Sequence, residues 1–484
     1  MALTVYNSLA KKKEEFIPVR GEGAKDVGMY VCGPTVYDNV HIGHARAFVS
    51  FDVIRRYLEF KGYRVKYVMN FTDVDDKIIR RAAEKGVPAL ELSSHYIQEF
   101  FEDTKGLNLK KADANPTPST HIPEIIHIIK ILVEKGFAYE SEGDVYFRVN
   151  RVERFGVLSG QTLDELKVGA RIDPSEKKEN PMDFALWKAA KPGEVFWDSP
   201  WGKGRPGWHI ECSAMSIKYL GEQFDIHGGG NDLIFPHHEC EIMQSEAYTG
   251  KSPFVKYWLH NGFVTINSEK MSKSLGNFFT LKDVLKLYSP LVLRFFLIHT
   301  HYRGPLDYSD SALGEAKEAY ERLYNTLQTL IAYSKMIAPG KDKEIMNNSV
   351  SDRCIAEAIA KTKEEFIKAM DDDFNTRDAI ASLFELSRLL NRAANERTMS
   401  IEDTQSAILL FRDLGEGVLG LFPAVFGTKE DSALVDRLVK LLIDLRQDAR
   451  KKKDFKTADT IRDSLKDIGI ILEDSKDGTV WKMK

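Results

Sequence analysis

An apolar run from Val27 to Cys32 ends in the break Gly33-Pro34. Beyond it Ala47, Phe51, Ile54 and Leu58 recur at helical spacing up to Gly62, and a second apolar run, Val65 to Met69, follows at once. Strand, helix, strand in that order forces a parallel pair, because two parallel strands can be joined only through a crossover of a dozen or more residues. A parallel sheet must then be covered on both faces by helices. With 484 residues available, the chain is long enough for about two to four units, of which this sheet is one.

The sheet resumes far downstream. Phe224 to His227 reads as a strand running into Gly228-Gly229-Gly230, a helix is expected after Pro236, and another strand lies near Phe254 to Gly262. Between the halves, residues 111–205 carry Asn115-Pro116-Thr117-Pro118, a hairpin signal at Gly143 and a charged stretch from Pro174 to Asn180, so they read as an insertion. The proposed division is 1–110 and 206–280 for the two sheet halves, 281–310 for a linker, 311–425 for a helical bundle marked by Ala379, Leu383, Leu386 and Leu390, and 431–484 for a small α/β module. That module has helical spacing at Leu434, Leu438, Leu441 and Leu445, a basic turn, a second helix and a β pattern from Ile470 to Trp481.

Composition narrows the class. Apolar residues make up 43% and charged residues 29% of the chain, which is the balance of a globular protein. The richest apolar stretch, Ile125 to Val133, is interrupted by His127 and Lys130 and falls short of the roughly 20 residues that span a bilayer. Lys11-Lys12-Lys13 precedes any apolar block, so no signal peptide is legible and a cytoplasmic address is expected. A net charge of −4 argues against an overall basic coat, yet local clusters can still meet a polyanion. Four cysteines, Cys32, Cys212, Cys240 and Cys354, are too scattered for a disulfide frame in a reducing compartment. Cys354, in the bundle, is expected in its core.

Two short strings carry chemistry. His41-Ile42-Gly43-His44 falls where the first strand passes into the first helix, where backbone N–H groups face an anion; its imidazoles could donate to phosphate oxygens, and Gly43 leaves room for a base. Lys270-Met271-Ser272-Lys273-Ser274 sits on a small polar loop, and two ammonium groups there suit a mobile clamp on a triphosphate. A metal set is legible as well. Cys32 follows a strand, Cys212 lies past the insertion, and His237 and Glu241 stand at i,i+4 on one helix face, a donor set that suits zinc better than magnesium or calcium. Spacing leaves His238, Glu239 and Cys240 as competitors.

The two strings, in this order, resemble the class I aminoacyl-tRNA synthetases from Met29 to about Phe296. Longer blocks narrow the likeness: Tyr30 to Asp38, Thr72 to Lys77, Gly204 to Met215, Phe235 to Glu239, and in the tail Ala458 to Arg462 and Leu472 to Thr479 resemble the cysteinyl-tRNA synthetase family. The resemblance implies a Rossmann-like parallel-sheet catalytic domain with an insertion, followed by a helical bundle and a C-terminal anticodon-recognition module. It implies ATP-dependent ligation of L-cysteine to tRNA(Cys), with Mg²⁺ accompanying ATP and one Zn²⁺ per subunit held by Cys32, Cys212, His237 and Glu241. Cys240 is left out of that set. His41, His44, Lys270 and Lys273 take the catalytic roles, Gly43 and Asp232 join the ATP side, and Thr72, Trp208 and His227 line the cysteine pocket. Segment 281–310 becomes a stem-contact region, and the bundle and tail become the tRNA-binding parts.

Zinc has a reason in selectivity. Cysteine and serine are nearly the same shape, so a pocket sorting by size gains only about 1–3 kcal/mol, whereas a metal that prefers soft sulfur separates them chemically. In the tail, Arg446, Arg450, Lys451, Lys452, Lys453 and Lys456 offer a grip on a nucleic-acid backbone, and Trp481 a surface for an unpaired base. A monomer is expected. Two alternatives remain at this point: a zinc-dependent ligase joining cysteine to an amino-sugar alcohol, whose likeness should fade in the tail, and a non-catalytic tRNA-binding zinc protein, which has no use for a pyrophosphate clamp.

Overall fold

The computed structural model describes residues 2–161, 177–266, 269–270, 279–337, 349–422, 429–467, 469–475 and 478–483. It divides into two units, Met1–Phe422 and Pro423–Lys484. In the first, strands β1 (Asp26–Val31), β2 (Arg64–Met69), β3 (Phe224–Gly230) and β4 (Val255–Asn261) form one sheet in the order β4-β3-β1-β2, parallel throughout. Helix α1 (Ile42–Phe60) makes the first crossover, burying Ala45, Phe48, Phe51 and Ile54, and Gly62, at φ 86°, turns the chain back toward β2. Neighbours of β1 leave it in opposite directions, so the crevice at the carboxyl ends of β1 and β3 is the switch point where such sheets bind ligands. Gly33 lets the backbone close that crevice, since a Cβ there would lie 1.6 Å from the Asn70 carbonyl oxygen.

The insertion is more regular than its sequence. Helix α2 (Ile122–Glu134) packs on a four-stranded antiparallel sheet of Ala138–Ser141, Asp144–Phe147, Phe184–Ala189 and Gly204–Pro206, with the expected hairpin turning at Gly143. The apolar stretch from Ile125 to Val133 is its amphipathic core face: Ile125, Ile129 and Leu132 meet Phe147, Leu186 and Trp187. Ile210 and Met243, from helices α3 (Trp208–Leu220) and α4 (Glu239–Thr249), complete that cluster, so insertion and sheet share a core. Of the charged stretch from Pro174 to Asn180, residues 174–176 lie outside the described residues, and Glu179 pairs with Arg148 at 2.8 Å.

The bundle comprises Asp310–Met336, Ser349–Asp371, Thr376–Asn395 and Ile401–Leu410, with Leu323, Leu327, Leu383, Leu386 and Leu390 inside. Cys354 is not in that core: it is exposed, because Ile355, about 100° further round the helix, takes the inward position. The second unit has helices Lys429–Lys451 and Phe455–Asp467 and a hairpin of Ile470–Ser475 with Gly478–Met483; Val439, Ile443, Leu465 and Ile470 form its core, and Trp481 packs against it. Among the described residues no helix is long and apolar enough to cross a membrane.

Candidate active site

Four donors meet at the switch point. Cys32 directly follows β1, Cys212 projects from α3, and His237 and Glu241 come from the wide turn Ile234–His238 and the first turn of α4. One ligand atom from each of Cys32, Cys212, His237 and Glu241 lies within 4.8 Å of all the others. The Cys32 and Cys212 Sγ atoms stand 3.7 Å apart. Two sulfurs on a tetrahedral zinc at about 2.3 Å stand about 3.8 Å apart, so the thiol spacing already fits that ion. Glu241 is wholly buried, yet the His227 and His237 imidazoles outweigh burial and hold its carboxyl at about 2. Burial disfavours the charged form of His237, but Glu241 and Cys212 beside it raise the imidazole to about 10. Burial and its neighbours push the Cys32 thiol up; at Cys212 the S–H of Cys32 and His237 overcome burial and pull it down. An imidazolium among a thiolate and a carboxylate marks the place a divalent cation would fill. The residues present fit the metal.

A second set overlaps the first, since Cys32, His227, His238 and Glu241 also converge within 4.8 Å. The two differ in access. Cys32, Cys212 and His237 line an open cleft of about 390 Å³, whereas His227 and His238 lie beneath it, fully buried. His227 Nε2 is 2.9 Å from Glu241 Oε2, and His237 Nε2 is 3.0 Å from Oε1, so one imidazole holds each carboxylate oxygen. His238 sits 3.4 Å from Cys32 Sγ on one side and 2.8 Å from His260 on the other. Burial pushes His238 well below its usual range, keeping it neutral. The remaining competitors turn away. Glu239 accepts from the backbone N–H groups of Gly156, Leu158 and Ser159, and Cys240 packs in the apolar cluster of the insertion.

The cleft continues to the first helix. His41 is the N-cap of α1: its Nδ1 accepts from the His44 backbone N–H at 3.2 Å, which leaves the hydrogen on Nε2 as a donor. The rings of His41 and His44 stack with centroids 3.5 Å apart, and the first turn of α1 carries no acidic residue to neutralise its positive end. His41, Gly43, His44, Thr72, Trp208 and Asp232 all line the same cleft as the thiols. Trp208 is 37% exposed and stacks on His237 at 4.4 Å, so it is a wall of the cleft and not a core aromatic. His227, expected as a pocket contact, stands one layer deeper, behind Glu241. Lys270 lies in the short strand Glu269–Lys270 that pairs with Val264–Ile266; Lys273 lies outside the described residues.

Sequence reasoning missed His209, His260, Lys77 and Asn70, and left His238 only as a competitor for the metal. His209 Nδ1 meets His237 Nδ1 at 3.0 Å, and burial lowers it to about 3. Lys77 and Asn70 line the cleft, and the Asn70 side chain accepts from the Gly33 N–H at 2.9 Å. The signal for the histidines was their position beside Trp208, beside His237 and at the end of β4.

A family model described as the tRNA synthetases class I (C) catalytic domain matches residues 19–318, a DALR domain matches 365–423, and a cysteinyl-tRNA ligase anticodon binding domain matches 438–481. The solved Mycobacterium tuberculosis methionyl-tRNA synthetase in complex with methionyl-adenylate shares the fold, with a TM-score of 0.62 at 15% identity over 85% of this chain and 93% of that one. The chain belongs to the class I aminoacyl-tRNA synthetases. Cysteine–tRNA ligases of Heliobacterium modesticaldum and Thermococcus onnurineus are each 52% identical to it, covering 100% of this chain and 100% and 99% of theirs, and that of Clostridioides difficile is 50% identical over 99% and 100%. Within the class, it is a member of the cysteine–tRNA ligase family. The tail match leaves the two alternatives unsupported.

Proposed function

We propose that the chain activates L-cysteine with ATP and transfers it to tRNA(Cys), with zinc held by Cys32, Cys212, His237 and Glu241. One observation carries this reading: the four-donor cluster opens into the same cleft as the unneutralised, His41-capped end of α1. In the first step the substrate carboxylate attacks the α-phosphorus of ATP and pyrophosphate leaves; the Nε2–H of His41, the His44 imidazole and the α1 N-terminus stabilise charge on the phosphate oxygens, with Lys270 and Lys273 following the departing pyrophosphate. In the second, the 2′-hydroxyl of the terminal ribose attacks the carbonyl carbon of the aminoacyl-adenylate, and AMP leaves as the mixed-anhydride bond breaks. Bound to its four residues, zinc would supply a soft Lewis acid that takes a thiolate and discriminates against a hydroxyl. Thr72 and Trp208 shape the amino-acid side of the cleft, Gly43 and Asp232 its ATP side, and His227 holds Glu241 from beneath.

The basic turn Arg450 to Lys453 and Trp481 are assigned to tRNA contact, and the enzyme to a monomer. Lys451 pairs loosely with Asp448 at 3.5 Å, which leaves room for a phosphate to compete. The direct test offers labelled cysteine and ATP with either tRNA(Cys) or an amino-sugar alcohol. Label on tRNA supports the reading, and label on the sugar with none on tRNA overturns it.

A further inference from the structure

A second cavity, of about 180 Å³, lies outside the cleft, between α1, β2, helix Ala89–Thr104 and the segment 109–115. Phe48, Tyr67, Met69 and Phe100 form its inner wall, all buried, and Phe101, 46% exposed, stands at its mouth. Protein interiors close-pack, so packing alone does not account for an apolar cavity of this size. The side-chain donors around it are spent within the protein. The Asn115 amide donates to the Met69 carbonyl at 2.8 Å, the Thr104 hydroxyl to the Phe100 carbonyl at 2.8 Å, and Arg55 to the Lys111 carbonyl at 2.8 Å. A hydrocarbon ring suits such a wall; a nucleobase would bring several polar atoms to it and need a partner for each.

The mouth carries charge, with one sign in surplus. Arg55 donates to Glu59 at 3.0 Å and lies 3.5 Å from Asp113, and Lys110 pairs with the same Glu59, so these two cations are balanced by two carboxylates. Lys105 and Lys111 also line the cavity, are exposed, and have no carboxylate partner among the described residues. Two unbalanced ammonium groups over an apolar cavity complement a ligand with a ring at one end and an anion at the other. An apolar cavity of about 150 Å³ holds one benzene ring, so the body of that ligand is a single ring. We propose that this cavity is a second ligand site, taking a small aromatic carboxylate with its ring against Phe48, Phe100 and Tyr67 and its carboxylate at Lys105 and Lys111. Phe48 is the partition between the two sites: it also lines the cleft, and its ring stacks on that of His44 with centroids 6.3 Å apart.

The test is a ligand-observed NMR titration of the full-length protein with three probes: phenylacetate, phenylacetamide, which has the same shape without the charge, and acetate, which has the charge without the ring. Phenylacetate should saturate one site with a Kd of about 1–5 mM, the range expected for so few atoms. Phenylacetamide should bind about three- to tenfold more weakly, the size of a contact with exposed lysines, and acetate should not saturate. Saturating ATP or cysteine should leave phenylacetate bound. Ala112→Leu, which narrows the cavity, should abolish binding of both ring probes and leave cysteine-dependent exchange unchanged. Lys105→Ala with Lys111→Ala should weaken phenylacetate to the level of the amide and leave the amide as it was. Phenylacetate that fails to saturate by about 20 mM, amide bound as well as acid, displacement by ATP or cysteine, or full binding in Ala112→Leu would each overturn the proposal. If Ala112→Leu does not fold, the double lysine variant decides: loss of the preference for acid over amide supports the site, and a retained preference overturns it. Binding is read without turnover, so an enzyme that showed no cysteine-dependent exchange would sink the functional reading and leave this result standing.

Discussion

Glu241 is useful as a metal ligand only while its carboxylate stays charged in a fully buried site, and the two imidazoles on its oxygens are what keep it so. With zinc held as proposed, His227 would act on the metal through Glu241. Replacing His227 by Ala should lower zinc affinity by about 10- to 100-fold, measured by competition with a chelator, and cysteine affinity should follow metal content; weakened cysteine binding at full zinc occupancy would put His227 in the pocket wall instead. Asp103 shows the opposite electrostatics. Burial and Glu102 raise its carboxyl to about 6, and Lys282, at 3.7 Å, does not offset them. A raised acid opposes folding above its folded value and ceases to do so as pH falls toward its unfolded value of about 4. Asp103→Asn should therefore raise thermal stability at pH 8 by about 1 kcal/mol and leave it nearly unchanged at pH 4, read as Tm at the two values. The four donors were legible because thiol, imidazole and carboxylate are scarce and chemically matched. The roles of Glu239 and Cys240 were not, because one helical turn sets several donors beside His237 and only the fold shows which of them turns inward.

Between elements, one buried network locks α1 against the rest of the first unit. Arg294, in helix Pro290–Ile298, is 0% exposed and donates to Asp52 at 2.6 Å, to the Leu107 carbonyl at 2.8 Å and to the Leu419 carbonyl at 2.7 Å. Asp52 is also held by Arg56 at 2.7 Å and by the Lys110 N–H at 2.8 Å, and Arg294 and Arg56 keep its carboxyl below the usual range against burial. Arg294→Met should cost about 3–5 kcal/mol of stability, seen as an earlier urea midpoint, because it strands the Asp52 charge and several carbonyls; a change within 1 kcal/mol would show the network to be dispensable. β1 and β2 could be read from their apolar runs and α1 from the helical spacing of Phe51, Ile54 and Leu58, although α1 is buried on every face from Phe48 to Leu58. The insertion was harder. Its sheet is built from strands of three to six residues whose pairing depends on α2 and on Ile210 and Met243 from distant segments, so no local window carries the signal.

At the scale of the whole molecule, the site belongs to the first unit and the basic turn to the second. Lys453 sits at φ 62°, just past the end of helix Lys429–Lys451, in a cluster of four consecutive cations. Replacing Lys451, Lys452 and Lys453 together by Ala should raise KM for tRNA and reduce the slope of log K against log salt by about 2–3, while cysteine-dependent exchange, which needs no tRNA, stays as it was. Loss of exchange in that variant would tie the tail to activation. The central claim, however, concerns the cleft: thiol selectivity comes from a metal on Cys32, Cys212, His237 and Glu241. The most direct measurement is the ratio of cysteine- to serine-dependent exchange before chelation, after chelation and after zinc is restored. The account predicts that stripping the metal lowers this ratio by orders of magnitude, to the 10- to 200-fold or so that size alone allows, and that zinc restores it. An unchanged ratio in metal-free enzyme would contradict it.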